Sequence, residues 1–318
     1  MNMQHDIAVA DMQLGDEIEG FYVLSSASLR TTGAGKPYLT GTLTDRTGSV
    51  DLVVWDYTGE LSADSAGTVV KVRGKVSEFK GSRQFAAGRI RPADGNDRYD
   101  LDELVPTAPI DRGEAMREVE ALIASMEDTD YRRAAEAMLE KKREAFARIP
   151  AAKSVHHGFV GGLLMHTLSM LRTADFLAGE YAEVVNRDLL LCGTLLHDMA
   201  KAEEFTFSPL GLATDYSLEG QLLGHPVMGA QAAARLAEEL KLPQEKSVLL
   251  QHMILSHHGE PEFGAAVRPM CAESELLHLI DMIDSRMEIY AETFSELEPG
   301  TFSGRIFALE KKIYKPQG

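Results

Sequence analysis

The chain has 318 residues, of which 44% are hydrophobic and 25% charged, and its formal net charge is -17 at pH 7. These proportions are typical of a globular protein, and the length allows two domains. No apolar run reaches the roughly 20 residues that a bilayer-spanning helix requires, and the first residues lack the basic and apolar regions of a signal peptide. We therefore expect a cytoplasmic protein without a membrane partner, in which Cys192 and Cys271 are reduced, buried core residues.

The negative charge is unevenly distributed along the chain. Residues 1–92 contain 10 Lys+Arg and 11 Asp+Glu, so the rest of the chain holds the other 22 basic and 38 acidic residues. Residues 71–91 contain seven basic residues and only one acidic residue, Glu78. Because salt screens charges beyond roughly 10 Å, a basic segment of this kind can bind a polyanion even on an acidic protein.

Residues 14–92 have the pattern of short β-strands. Runs rich in β-branched and aromatic residues alternate with turn sequences such as Thr32-Gly33-Ala34-Gly35. The predicted strands are 18–24, 38–43, 50–55, 69–76 and 83–90. Since this segment leaves no room for crossover helices, we predict a small antiparallel barrel, and an OB-fold is the favoured candidate.

Barrels of this class commonly bind single-stranded nucleic acid by stacking bases on aromatic side chains beside basic groups. We expect such a surface here, although any one aromatic residue could instead fill the barrel core. The residues predicted to contact substrate are Lys36, Tyr38, Trp55, Lys80, Arg83, Phe85 and Arg89, and Phe21 and Phe79 are further aromatic candidates.

A polar, proline-containing linker at 93–111 separates the predicted barrel (1–92) from a predicted helical domain (112–318). Asp111 is a plausible N-cap for the first helix, and Asp128 or Thr129 for the second. Helices are predicted at 111–126, 128–148, 157–178, 182–202, 225–240, 244–256 and 273–291. We therefore predict a multidomain protein, with an all-β barrel followed by an all-α domain.

Nine of the ten histidines lie between residues 156 and 278, in this helical region. A single histidine on an apolar helix is more often a satisfied core residue than a ligand. Here, however, five separate segments each place His or Asp in apolar surroundings, and a metal centre in the core of a helical bundle explains them together. The residues are His166, His197, Asp198, His225, His257, His258, Asp281 and Asp284.

The order of these residues resembles the HD superfamily of metal-dependent phosphohydrolases, in which a histidine is followed by a His-Asp pair and a distant aspartate. The matching positions are His166, His197, Asp198 and Asp281. In the two-metal subfamilies, additional histidines hold the second ion, and the residues in those places are His225, His257 and His258. The resemblance implies a binuclear site bridged by Asp198, and a mononuclear site is the alternative.

Over roughly residues 8–316, the chain resembles the YhaM family of bacterial 3'→5' exoribonucleases. The resemblance rests on the domain order, on His156-His157-Gly158 before Gly161-Gly162-Leu163-Leu164, and on the turn Ser256-His257-His258-Gly259. It implies release of nucleoside monophosphates from single-stranded RNA, with single-stranded DNA as a second substrate. One departure is Met165, where many relatives have Glu.

Phosphodiester hydrolysis requires a hydroxide at neutral pH and neutralisation of the phosphoryl charge, which two divalent ions about 3.5–4 Å apart can supply. Imidazole and carboxylate ligands suit Mn²⁺, with Fe²⁺ or Co²⁺ as alternatives. The predicted catalytic residues are Asp198 and Lys201, and Lys201 would contact a phosphate oxygen or the leaving group unless it is an ordinary surface lysine. His156 or His157 would hold substrate phosphate.

The remaining polar residues have supporting or open roles. His278 and Asp284 are predicted to orient the ligands, and His252 has no predicted role. Two alternative functions stay open: a phosphohydrolase acting on a nucleotide or cyclic dinucleotide, and an RNA-binding adaptor with a structural metal. The barrel disfavours the first, and the near-complete ligand set disfavours the second. We also expect a homo-oligomer, to which the apolar segment 302–314 contributes.

Overall fold

The computed structural model describes residues 3–152, 158–208 and 210–317. The chain forms two compact units: one ends at Thr107 and also includes Ser208–Gly211, and the other comprises Ala108–Phe207 and Leu212–Gly318. In these described ranges, no helix combines the length and apolar character needed to cross a membrane.

The first unit contains a closed β-barrel. Its strands are β1 (Gln4–His5), β2 (Glu17–Thr31), β3 (Pro37–Asp45), β4 (Gly48–Trp55), β5 (Thr68–Phe79) and β6 (Ser82–Pro92). They are ordered β1-β2-β3-β4-β6-β5, and pairing of β2 with β5 closes the five long strands into a barrel. This confirms the predicted barrel. The expectation of purely antiparallel strands is wrong at two places, because β4 pairs with β6 in parallel and the short β1 pairs with β2 in parallel.

Alternate side chains of β6 point into the barrel and help to fill its interior. Successive side chains of a strand point to opposite faces, and here Phe85 and Ala87 face inward. Phe85 is fully buried in the cluster that also contains Ile18 and Leu43. The prediction that Phe85 contacts substrate is therefore wrong, since its ring has no free face for a base. A short helix, α1 (Leu101–Leu104), follows the barrel.

The second unit is a helical bundle. Its helices are α2 (Arg112–Ala124), α3 (Thr129–Arg148), α4 (Gly162–Glu180), α5 (Arg187–Leu196), α6 (Lys201–Glu204), α7 (Leu218–Leu240), α8 (Gln244–Ser256) and α9 (Ala272–Glu296). The predicted caps occur as expected: Asp111 accepts from the N–H of Glu114, and Asp128 accepts from Asp130 and Tyr131. The predicted fold class, a barrel followed by a helical domain, is confirmed.

Several predicted helix boundaries are wrong. The helix predicted at 182–202 ends at Leu196, and the chain turns before α6 begins. The helix predicted from 225 does begin there, but an unpredicted helical stretch from Leu218 precedes it, and Gly224, with a φ of 74°, separates the two parts of α7. Pro226 lies in the first turn of the second part, where its missing N–H would have no partner within the helix.

The helical unit also contains structure that the sequence pattern did not predict. A small hairpin of β7 (Phe205–Phe207) and β8 (Ala213–Tyr216) follows α6. Cys192 is buried as expected, but Cys271 is partly exposed because it lies at the N-cap of α9.

Candidate metal centre and nucleic-acid interface

The turn between α5 and α6 lies inside the helical core. Leu190, Leu191 and Leu195 of α5 are fully buried, so this helix ends in the interior rather than at the surface. The next residues, His197 and Asp198, are only 0% and 2% exposed. A carboxylate placed this deep requires compensating partners, since burying an unpaired charge is strongly unfavourable.

Histidines surround both oxygens of Asp198. Oδ2 is 3.3 Å from His197 Nε2 and 3.7 Å from His166 Nε2. On the other side, Oδ1 is 3.3 Å from His225 Nε2 and 3.8 Å from His257 Nε2. The carboxylate therefore lies between two groups of imidazoles, with one oxygen facing each.

These residues form two compact sets of ligand-type atoms. The first triad, His166, His197 and Asp198, and the second triad, His225, His257 and His258, each have such atoms within 4.8 Å of one another. Asp281 on α9 adjoins the first triad, with Oδ1 3.5 Å from His166 Nε2. All seven residues predicted as ligands are thus brought together.

Two of the imidazoles are oriented by the helix that precedes them. The Nδ1–H of His197 donates to the Thr194 carbonyl at 2.7 Å, and the Nδ1–H of His257 donates to the Ile254 carbonyl at 2.7 Å. Because the proton is fixed on Nδ1, the Nε2 lone pair of each ring is left to face Asp198.

Two further imidazoles are oriented by carboxylates of residues that are distant in the sequence. His166 Nδ1–H donates to Asp284 at 2.7 Å, and His225 Nδ1–H donates to Glu204 Oε1 at 2.9 Å. His278 acts differently, since its Nδ1–H donates to the main-chain carbonyl of His257 at 3.0 Å. Met165 has no polar group for such a role, and Asp284 supplies the partner of His166.

Several buried polar atoms of the centre have no hydrogen-bond partner among the described residues. They are Nε2 of His197, His225 and His257, Nδ1 of His258 and Oδ1 of Asp198. Buried polar groups are normally paired, so a cluster of unpaired lone pairs indicates a bound cation. Imidazole nitrogen and carboxylate oxygen are suitable ligands for a divalent transition metal, and the residues present fit such an ion.

The electrostatics agree with this interpretation. Burial and the neighbouring His258 hold the pKa of His257 well below its ordinary value, and burial and His225 lower the pKa of His258 to about 4. Burial alone would raise the pKa of Asp198, but the adjacent His197 and Lys201 outweigh it and hold that pKa well below the usual range. Neutral imidazoles at His257 and His258 beside an ionised Asp198 are the protonation states that metal ligands require. At His197, by contrast, burial is outweighed by Asp198, which raises the pKa, and a bound cation would displace that proton.

Lys201 makes direct contact with the centre. Its Nζ donates to Asp198 Oδ2 at 2.6 Å, and its side chain is only 15% exposed. Burial would lower the pKa of Lys201, but Asp198 outweighs this and raises it. The ammonium group therefore stays charged although it is buried, and it differs from a solvated surface lysine in its direct contact with Asp198.

The barrel contains a separate groove of about 610 Å³ with a basic lining. Trp55 lies in it, 59% exposed, and its ring stacks on Tyr38 with centroids 5.0 Å apart. The cations that line the groove are Lys71, Arg73, Arg89 and Arg91. An exposed aromatic face beside several cations is the arrangement that holds single strands.

Other predicted contact residues lie elsewhere. Lys80 lies in the β5–β6 turn, and Arg83 donates to the Met12 carbonyl at 2.6 Å. Among the described residues, neither side chain lines the groove. Lys36 is paired with Asp56, which does line it.

Three histidines lie apart from the centre or outside the structure described. His252 Nε2 accepts from the N–H of Met270. His156 and His157 lie outside the described residues.

Two parts of the sites were missed from the sequence. Glu204, the partner of His225, directly follows the similar Glu203, and no spacing distinguishes the two. Lys71 and Arg73 belong to the basic segment 71–91 described above, but the sequence does not show which face of the strand they occupy. In the structure both side chains line the groove and lie close to Glu19.

Comparison with known proteins supports both assignments. Residues 163–286 match the HD domain, which implies binding of a divalent metal, and residues 25–93 match the OB-fold nucleic acid binding domain. The chain is 36% identical over 307 residues to the 3'-5' exoribonuclease YhaM of Bacillus velezensis and 35% identical over 306 residues to that of Bacillus subtilis, with 96% of each chain covered. Identity to the protein of the same name from Oceanobacillus iheyensis is 34%, covering 97% of this chain and 96% of that one.

Proposed function

The chain belongs to the YhaM family of 3'-5' exoribonucleases and is a metal-dependent hydrolase, and we propose that it releases nucleoside monophosphates from the 3' end of single-stranded RNA, with single-stranded DNA as a second substrate. The observation that carries the proposal is the position of Asp198, which has one oxygen facing each triad. A carboxylate placed in this way suits a bridge between two cations.

We propose that the centre holds two Mn²⁺ ions, with Fe²⁺ or Co²⁺ as alternatives. The first triad and Asp281 would hold one ion, and the second triad with Asp198 the other. When bound, the ions supply a hydroxide at neutral pH and polarise the phosphoryl oxygens. Support for this assignment comes from the unpaired, buried imidazole nitrogens around Asp198.

The role proposed for Lys201 is neutralisation of charge on the scissile phosphate. One of its three ammonium protons is used by Asp198 Oδ2, which fixes the side chain in place. The others are available to a phosphate oxygen or to the leaving oxygen. In a buried site this positive charge is screened little by water, so its interaction with a developing anion is strong.

The barrel groove is proposed to bind the part of the strand that is not being cleaved. A base would stack on Trp55, whose own position is supported by Tyr38. Arg73 and Arg89 would contact the phosphates, although the carboxylate of Glu19 lies 3.9 Å from Arg73 and competes for it. We expect binding that is largely independent of base sequence and sensitive to salt.

The homo-oligomer and the cytoplasmic location stay predictions. Support for self-association comes from segment 302–314, in which Phe302 and Phe307 are 67% and 94% exposed. Exposed apolar groups within one short segment can mark an association site. Light scattering on the purified protein would measure the assembly.

The decisive experiment follows a 5'-labelled oligoribonucleotide in the presence of Mn²⁺. We expect a ladder of shortened products from the wild-type protein and none from a circular RNA of the same sequence, because a circle has no 3' end. Asp198→Asn should reduce the rate by more than the roughly 10- to 100-fold typical of residues that only orient ligands. Cleavage of the circle, or full activity of Asp198→Asn in folded protein, would refute the proposal.

A further inference from the structure

The chain makes a hydrogen-bonded turn immediately after the second triad. Residues Pro261–Phe263 form a single 3-10 turn in which the N–H of Phe263 donates to the Glu260 carbonyl at 2.9 Å. The guanidinium of Arg268 donates to the Glu260 carboxylate at 2.7 Å and ties the two ends of the loop together. Gly264 closes the turn with a φ of 100°, a conformation that favours glycine.

Phe263 is exposed on this turn. Its side chain is 73% exposed, and it belongs to none of the hydrophobic clusters formed by the described residues. Scattered exposed apolar residues are common on protein surfaces, so exposure alone would not indicate a function. The hydrogen-bonded turn, tied by Arg268 and Glu260, and the neighbouring metal centre are what distinguish this position.

The backbone of the turn lies against the second triad. A Cβ built on Gly264 would be 3.3 Å from Nδ1 of His258. Phe263 is the preceding residue, and consecutive Cα atoms are only about 3.8 Å apart. The Cα of Phe263 therefore lies within about 9 Å of an imidazole that we place at the metal centre, a distance that the phenyl ring and a nucleotide bound there can span between them.

We propose that Phe263 stacks on the base of the 3'-terminal nucleotide while that nucleotide's phosphodiester lies at the metal centre. The inference rests on the proposed exonuclease function and assigns a binding residue for its substrate. An exonuclease must accept each base in turn, and stacking suits this need because every base has a π-face. The ring would position the terminal nucleotide without selecting its identity.

The test compares two oligoribonucleotides, one ordinary and one whose 3'-terminal ribose lacks a base. For the wild-type protein, removal of the base should lower kcat/KM by roughly 5- to 100-fold, as stacking contacts do. Phe263→Ala should lose a similar factor on the ordinary strand and almost nothing further on the strand without the base. Phe263→Trp should restore the wild-type pattern.

Two controls separate stacking from a structural role. Phe176 is 66% exposed on α4 and has no place in the centre or in segment 302–314, so Phe176→Ala should behave like the wild type on both strands. The Mn²⁺ affinity of Phe263→Ala, measured by calorimetry, should be unchanged. The inference is overturned if Phe263→Ala has wild-type kinetics, if it loses equally on both strands, or if its Mn²⁺ affinity falls.

The same assay distinguishes failure of this inference from failure of the proposed function. A wild-type protein that produces no ladder from the ordinary strand overturns both. A wild-type protein that shortens the strand from its 3' end, beside a Phe263→Ala variant with unchanged kinetics, overturns only the role of Phe263.

Discussion

Replacing Glu204 with glutamine tests how the second triad is held in position. Glu204 is 5% exposed, and its Oε1 accepts from both the main-chain N–H and the Nδ1–H of His225, each at 2.9 Å. The main-chain bond does not involve the imidazole ring. Only the bond to the ring affects the ligand, because it fixes the proton on Nδ1 and increases the basicity of Nε2.

The size of the effect follows from the loss of charge. Glutamine has nearly the same shape as glutamate, but a bond to a neutral acceptor is about half as strong as one to a carboxylate. The difference is about 1–1.5 kcal/mol, which corresponds to roughly a tenfold weaker affinity. We expect this loss for one ion only, because His166 and His197 of the first triad are oriented by other partners.

Calorimetric titration of metal-free Glu204→Gln with Mn²⁺ would measure the two affinities separately. Glu203→Gln is the matched control, since it removes the same charge one residue earlier from a side chain that is 49% exposed and paired with Lys142. The control should bind both ions as the wild type does. Equal affinities in both variants, or a loss at both ions in Glu204→Gln, would refute the assignment of Glu204 to the second triad.

Three further predictions concern the two units. Trp55→Ala should weaken binding of single-stranded RNA by roughly 5- to 100-fold in fluorescence anisotropy, and unchanged affinity would contradict the groove assignment. Phe85→Ala should lower the free energy of unfolding by about 3–5 kcal/mol in urea, because its ring is fully buried; a loss below about 1 kcal/mol would be inconsistent with a core position. Removing metal with a chelator should lower the unfolding temperature and Mn²⁺ should restore it, since an ion that binds only the folded chain stabilises it; a temperature that is independent of Mn²⁺ would argue against the centre.

The residues of the centre and one partner, Asp284, were predictable, whereas Glu204 and the ends of the helices around the centre were not. The order of His166, His197, Asp198 and Asp281 marks a metal site because polar residues repeatedly interrupt apolar helices. The same apolar pattern runs through the end of α5, so hydrophobicity alone extended that helix past His197. The periodicity of hydrophobic residues indicates which side chains are buried, but it does not indicate where a fully buried helix ends.

The barrel shows the same limit at the level of single side chains. Trp55 and Phe85 are both aromatic residues of predicted strands, yet one is 59% exposed and the other fully buried. Which face a side chain occupies depends on strand register, and a shift of one residue exchanges the two faces. In the structure Trp55 pairs directly with Tyr38 across β3 and β4, a contact that only the register determines.

A single local arrangement is used twice to build the metal centre. His197 is the C-cap of α5 and His257 is the C-cap of α8, and each ring donates to the carbonyl three residues earlier. The last carbonyls of a helix have no partner within the helix, so a histidine at this position satisfies one of them and fixes its own tautomer at the same time. The two rings lie 5.1 Å apart, one in each triad. The ends of two buried helices therefore supply oriented imidazoles on both sides of Asp198 through carbonyls of their own last turns, whereas His166 and His225 are oriented by carboxylates elsewhere in the described chain.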